Sequence, residues 1–172
     1  TAAREDALIT LKKRWPIAKL TEYPAPVQGM DAAPKIITAL QAADNGNHQV
    51  IMLVRGGGSI EDLWCFNDET LARYISQMKT PIVTGIGHEI DFTLVDFVSD
   101  YRANTPTGAV EAAVPDMQEV LATLQNYRSR LMTAMRNTFM HAKKRLVYNA
   151  SQPVLTKPER LYRDSITRLD YL

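Results

Sequence analysis

The chain contains 172 residues, and 45% of them are hydrophobic, which is enough apolar material for a folded core. Its apolar runs fall short of the roughly 18 residues that cross a bilayer, and its start lacks a signal-peptide pattern, so we expect a soluble, cytoplasmic protein. Cys65 is the single cysteine, which excludes an internal disulfide and a cysteine zinc site.

Charge is distributed unevenly beneath a net charge of +1. Residues 1–116 carry 10 Lys and Arg against 15 Asp and Glu, whereas residues 117–172 carry 10 against 4. A basic helical segment can follow a phosphate backbone, although scattered basic residues on a solvated helix face would give the same count.

The first part of the chain alternates helical patterns with apolar runs. The spacing predicts a helix over residues 4–14, a short extended run over 17–23, and an amphipathic helix over 31–43 that exits through a turn at 45–47. Residues 49–54 form a continuous apolar run, as expected of a strand buried on both faces.

The alternation continues with a predicted helix over residues 68–78, a buried strand over 81–86, a short helix over 91–98 and a loop over 102–106. This order predicts an α/β fold, with an open parallel sheet flanked by helices in a three-layer, Rossmann-like arrangement. Because residue 1 is Thr and helical sequence begins almost at once, we expect a preceding strand in a longer chain.

The last third of the chain is predicted to be helical. Apolar residues recur every three or four positions over residues 117–148, which predicts a rod of about 50 Å at 1.5 Å per residue. So long a helix is typical of a coiled-coil or antiparallel pair, and a further helix is expected from residue 158. We therefore expect an α/β domain over residues 1–115 and a coiled-coil-like arm over 116–172.

Three consecutive glycines follow the first predicted strand, in the motif Arg55-Gly56-Gly57-Gly58-Ser59. Glycines let backbone N–H groups approach an anion, and Ser59 adds a hydroxyl where a helix is expected to start, so the loop favours phosphate. A sharp turn without a ligand is the alternative. The spacing matches neither a Walker A loop nor a GxGxxG fingerprint, which argues against a nucleotide cofactor.

Charged candidates lie at both strand ends. The Arg55 guanidinium could clamp a phosphate, or it could form a salt bridge with Glu61 or Asp62. His88 is a candidate general acid or base, and Asp91 could orient its ring across one helical turn. A structural histidine and a helix N-cap at Asp91 are the alternatives.

Metal chemistry has little support in the sequence. No second histidine follows His88 at HExxH spacing, which excludes that zinc site. A hard-metal site built from Glu89, Asp91 and Asp96 is conceivable, although carboxylates spaced along a surface helix are common.

Two aromatic residues and an asparagine follow the glycine loop. Trp64 and Phe66 could stack on a nucleobase, but packing in the core is the favoured interpretation. Asn67 is interpreted first as the cap of the helix predicted from residue 68.

Three motifs appear in order: YPAPVQG at residues 23–29, RGGGSIEDLWCFND at 55–68 and GIGHEIDFTLVDFVSDYRANTPTGAVE at 85–111. Together they resemble the large subunit of bacterial exodeoxyribonuclease VII over residues 6–116, and more loosely into the helical tail. The TPTGAVE segment departs from the Ser-Ala-Ala run that the family usually has after Thr-Pro. The resemblance implies an exonuclease that hydrolyses single-stranded DNA from both ends to oligonucleotides. It also implies several copies of a small helical subunit as partners, and a separate OB-fold that grips the DNA.

The resemblance also implies the site residues by position. The catalytic set falls on Asp6, Arg55, His88 and Asp91. The substrate-binding surroundings comprise Gly56, Gly57, Gly58, Ser59, Glu61, Asn67, Arg102 and Thr105. No cofactor is expected to be required, with Mg²⁺ held by Asp6 and Asp91 as the alternative.

Two other functions stay open at this point. The chain could be a scaffold that binds the small subunit or DNA, or an α/β enzyme acting on a nucleotide or sugar phosphate. Convergence of Asp6, Arg55, His88 and Asp91 in one cleft would favour the nuclease over both.

Overall fold

The computed structural model describes residues 2–29, 31–56, 60–87 and 91–170, without the side chains of residues 60, 61, 160, 161, 164, 165 and 170. The chain divides into two compact units, Thr1–Val120 and Leu121–Leu172. Over the described ranges, none of the helices is long and apolar enough to cross a membrane.

A parallel sheet lies at the centre of the first unit. Its described strands are β1 (Ile51–Val54), β2 (Ile82–Gly85) and β3 (Tyr101–Arg102), in the order β1-β2-β3. Ile51 pairs with Ile82, and Val83 pairs with Tyr101. The predicted mixed α/β fold with a parallel sheet is confirmed, and the carboxyl ends of all three strands lie at one edge.

Helices surround this sheet. They are α1 (Ala2–Arg14), α2 (Ala32–Asp44), a 3₁₀ helix (Ile60–Asn67), α3 (Glu69–Ile75), α4 (Leu94–Val98) and α5 (Pro106–Ala113). Side chains on one face of the sheet, such as Ile51 and Ile82, pack in a cluster with Ile36 of α2. Met52, which points to the opposite face because side chains alternate along a strand, packs with Leu11 of α1 and Val110 of α5.

Several predicted elements differ from the observed ones. Every residue of β2 is buried, but β1 buries only Ile51 because β1 is an edge strand of the described sheet. Residues 18–27 have no regular secondary structure, and α4 begins at residue 94 instead of 91. Strand β3 replaces the start of the loop predicted over residues 102–106, and α5 was not predicted.

Three helices make up the C-terminal part of the chain: α6 (Met117–Ala150), α7 (Pro153–Thr156) and α8 (Glu159–Asp170). The predicted long helix is confirmed as α6, whose 34 residues include none that is buried. Its apolar residues are more than half exposed at positions that include Leu124, Tyr127, Leu131, Met135 and Phe139.

Candidate functional site

Loops from three parallel strands meet at the carboxyl edge of the sheet. Arg55 follows β1, and its backbone N–H donates to the carbonyl of Gly85 at the end of β2 (3.1 Å). Arg102 ends β3, and its Nη2 donates to the carbonyl of Asp91 (3.1 Å). The structure therefore brings Arg55, Asp91 and Arg102, which are distant in sequence, to one edge.

The Arg55 side chain is anchored by Asp62. Its Nη2 lies 3.1 Å from Asp62 Oδ2, and only 5% of the arginine side chain is exposed. The salt-bridge alternative for Arg55 is thus confirmed. A guanidinium carries five N–H donors, so one carboxylate does not exhaust it. Asp62 holds a cation in a fixed position at the start of the glycine loop.

Cys65 lies on the 3₁₀ helix beside this ion pair. Burial raises the pKa of the Cys65 thiol, and the positive charge of Arg55 opposes that rise. A raised pKa disfavours the thiolate, the nucleophilic form, so Cys65 does not have the character of a catalytic cysteine.

Helix α1 approaches the same loop closely. A Cβ added to Gly56 would lie 3.1 Å from the Cβ of Ala3 in the first turn of α1. The side chain of Asp6 is exposed one turn further along α1. This contact puts the beginning of α1, which carries Asp6, against the start of the glycine loop.

Gly87, which follows β2, lies close to Asp91. A Cβ added to Gly87 would lie 2.9 Å from the Cβ and 3.0 Å from the carbonyl oxygen of Asp91. Residues 91–93 are not helical, and the N-cap of α4 is Thr93. The alternative that made Asp91 the N-cap is therefore wrong, as is the helix predicted to begin there.

Asp96 is the buried acceptor that holds the segment following Asp91. Its side chain is 2% exposed. It accepts hydrogen bonds from the Thr93 backbone N–H (3.0 Å), the Thr93 hydroxyl (2.8 Å) and the Thr84 hydroxyl (2.8 Å). The sequence offered Asp96 as a metal ligand or as a carboxylate on a surface helix, and its burial shows that the second interpretation is wrong. The Thr93-x-x-Asp96 spacing, a helix-start signature, would have indicated its structural part.

Arg102 joins β3 to the segment around Asp91. Besides its bond to the Asp91 carbonyl, its Nη1 donates to Asn104 Oδ1 (3.1 Å), and its Nε lies 3.8 Å from Asp96 Oδ2. Its guanidinium carbon lies 3.9 Å from the centroid of the Phe92 ring. These contacts fix the plane of the guanidinium beside a candidate catalytic residue.

Two further predicted substrate-binding residues bond to the protein itself. Asn67 Oδ1 accepts from the Leu94 N–H (2.9 Å), which ties the 3₁₀ helix to α4. The cap of α3 is Asp68, so the cap interpretation of Asn67 is wrong. Thr105 is the N-cap of α5, and its hydroxyl accepts from the Gly108 N–H (3.0 Å).

The aromatic residues after the loop separate into one inner and one outer side chain. Phe66 is fully buried, as predicted, but Trp64 is 75% exposed, so core packing is wrong for Trp64. A 3₁₀ helix has three residues per turn, which puts Leu63 and Phe66 on one inward face and turns Trp64 away from it.

The remaining predicted residues lie outside the described part. These are Gly57, Gly58, Ser59, His88 and Glu89, together with the side chain of Glu61. Their roles stay predictions. Among the residues that are described, no group of three His, Cys, Asp or Glu side chains is placed to hold a metal ion.

Comparison with known proteins identifies the family of this chain. The family model described as "Exonuclease VII, large subunit" matches residues 1–172. The chain belongs to the exonuclease VII large-subunit family.

Individual members of this family are also similar to the chain. The exodeoxyribonuclease 7 large subunit of Nitrosomonas eutropha is 55% identical over 136 residues, which cover 78% of this chain and 30% of the relative. Those of Lysinibacillus sphaericus and Ligilactobacillus salivarius are 44% and 42% identical over 172 residues, covering 99% of this chain and 38% and 39% of the relatives. The chain thus spans well under half the length of these exonuclease VII large subunits.

Proposed function

We propose that the protein containing this chain hydrolyses phosphodiester bonds of single-stranded DNA, from both ends, to oligonucleotides. The observation that carries this proposal is the family match over the whole chain. The carboxyl edge of the sheet supports it, because open α/β sheets bind ligands beyond the carboxyl ends of their strands. Three residues of the candidate site lie at that edge: Arg55, Asp91 and Arg102.

In the proposed mechanism, the scissile phosphate binds at the glycine loop. Arg55, held in place by Asp62, and the loop amides stabilise the negative charge that builds up in the transition state. Water attacks phosphorus, and the bond to the leaving oxygen breaks. His88 either removes the proton from the water or protonates the leaving oxygen, and Asp91 orients the imidazole.

Asp6 is proposed as a second acid/base group or a polar anchor, at the start of the helix that packs against Gly56. The mechanism requires no cofactor. Asp6 and Asp91 offer the carboxylate oxygens that Mg²⁺ prefers, which keeps a magnesium-assisted reaction as the alternative.

The domain organisation and the partners are also part of this proposal. Packing on both sheet faces supports a three-layer, Rossmann-like catalytic domain over residues 1–115. The exposed apolar residues of α6 support an arm over 116–172 that binds several copies of the small subunit. The excess of basic residues in this arm suits a DNA backbone, and the assembly would act in the cytoplasm.

The test is hydrolysis of end-labelled DNA by the full-length large subunit assembled with its small subunit. We expect linear single strands to be shortened from either label, closed single-stranded circles to resist, and EDTA to leave the rate unchanged. Loss of activity in EDTA would favour the magnesium alternative.

The same assay tests the other functions. DNA binding without cleavage would favour the scaffold. Release of phosphate from free nucleotides or sugar phosphates, with DNA left intact, would favour the small-molecule enzyme.

A further inference from the structure

Two phenylalanines are exposed beside the candidate catalytic edge. Phe92 and Phe97 are 56% and 72% exposed, and their rings stack with centroids 5.8 Å apart at an interplanar angle of 24°. Helix α4 does bury apolar side chains, since Val95 is fully buried. The exposure of Phe97 therefore does not reflect the absence of a core beneath the helix.

A fixed cation completes this group. The guanidinium carbon of Arg102 lies 3.9 Å from the Phe92 centroid, and the arginine is only 17% exposed. Its bond to the Asp91 carbonyl and its proximity to the buried Asp96 hold it there. We call Phe92, Phe97 and Arg102 the aromatic platform. Arg102 is held by contacts within the protein, and the Phe92 ring lies between Arg102 and Phe97, so the outer face of Phe97 is open to a planar ligand.

The platform adjoins the proposed reaction site through the main chain. Phe92 is the residue after Asp91, and Arg102 bonds to the peptide between them. A ligand that lies on the platform is therefore close to the Asp91 backbone.

We propose that the aromatic platform binds a nucleobase of single-stranded DNA by stacking, next to the phosphate that is cleaved. This inference rests on the proposed nuclease function and adds a base-binding subsite to it. Every base has a π face, so stacking is tolerant of sequence, and a nearby guanidinium adds a cation–π contribution. Duplex bases have both faces covered by neighbouring bases, so the platform would also favour single strands.

Phosphate recognition alone would not need exposed rings. The two phenylalanines carry no charge and offer no hydrogen bond to a phosphate, so their partner must present a flat or apolar surface. Arg102, whose guanidinium lies against the Phe92 ring, favours a partner that is also anionic. A nucleotide within a strand has both properties.

The test compares two probes that share a phosphate backbone. One is a fluorescent oligothymidylate, and the other is an abasic oligonucleotide of the same length. Binding is measured with the full-length large subunit carrying His88→Ala, assembled with its small subunit, so that the reading does not depend on cleavage. We expect Phe97→Ala to weaken oligothymidylate binding about 10-fold and to leave abasic binding unchanged.

Two further variants distinguish stacking by Phe97 from the general effect of removing an exposed apolar side chain. Phe97→Trp keeps a π face and should retain oligothymidylate affinity. Ile17→Ala, a truncation of an apolar side chain that is 66% exposed outside the candidate site, should change neither affinity.

Three results would overturn the proposal that the platform binds a nucleobase. They are unchanged oligothymidylate binding in Phe97→Ala, equal weakening of both probes, and loss of the small subunit with oligonucleotide binding intact. The last would identify Phe97 as part of a protein interface. The nuclease proposal is judged separately, by cleavage in the wild-type assembly: base-dependent binding through Phe97 without cleavage would keep the platform and reject the nuclease.

Discussion

Replacing Asp96 by Ala is expected to destabilise the first unit by about 3 kcal/mol. The change removes the acceptor of three hydrogen bonds, which come from the Thr93 N–H, the Thr93 hydroxyl and the Thr84 hydroxyl. Thr84 and Thr93 are 0% and 2% exposed, so water does not readily replace the lost acceptor.

The magnitude follows from the donors left without a partner. A buried unsatisfied donor costs about 1–3 kcal/mol. The Thr84 hydroxyl has a second partner in Ser99 Oγ at 3.3 Å, so the loss falls mainly on the two donors of Thr93. Relaxation of the backbone near Thr93 reduces the combined cost of its two unsatisfied donors to about 3 kcal/mol. That is a large part of the roughly 5–15 kcal/mol that stabilises a typical domain.

Urea denaturation followed by tryptophan fluorescence measures this loss, because both tryptophans, Trp15 and Trp64, lie in the first unit. Asp96→Asn keeps the shape and one acceptor oxygen, so it should cost about half as much as Ala. Asp31→Ala is the matched control, since Asp31 makes no side-chain capping bond, and should change stability by less than about 0.5 kcal/mol. If Asp96→Ala were as mild as this control, the Asp96 bonds would not hold the segment together.

Two further changes test neighbouring features. Gly87→Ala places a Cβ about 3 Å from the Asp91 carbonyl, so Asp91 must move. We therefore expect cleavage of single-stranded DNA by the full-length assembly to fall at least ~10-fold. A wild-type rate would show that the Asp91 position tolerates the added methyl group. Hydrogen bonds from Thr80 lower the pKa of the Asp44 carboxyl below its ordinary value of 3.8. A lowered pKa stabilises the fold above the ordinary value, and this contribution is lost as pH falls through the folded pKa. Asp44→Asn should therefore reduce the urea midpoint more at about pH 7 than at about pH 3, and an equal reduction at both would contradict the assignment.

Long periodic elements were predictable because their patterns are local. The spacing of apolar residues gave α1, α2 and α6, and the two apolar runs gave β1 and β2. The two-residue strand β3 has no pattern of its own, since it forms only because β2 offers a neighbour to pair with. Helix α5 did carry a signal, an N-cap Thr105 followed by Pro106, and that signal was missed.

The candidate site divides in the same way. Strand order predicted that the segments carrying Arg55 and Asp91 would lie side by side, whereas Arg102 was expected near them only from the family resemblance. The salt bridge of Arg55 was not decided by the sequence, because it depends on where the 3₁₀ helix places the side chain of Asp62. The exposure of Phe92 and Phe97 could not be predicted either, because apolar residues in an apolar run are expected inside. Only the position of α4 shows that these two side chains face outward.

The most direct test of the central claim is the cleavage rate of end-labelled single-stranded DNA by the full-length assembly with and without His88. We expect His88→Ala to slow cleavage at least ~100-fold, as loss of a general acid or base does, while Asp31→Ala cleaves at the wild-type rate. Near-wild-type cleavage by His88→Ala would contradict a nuclease site at the carboxyl edge of this sheet.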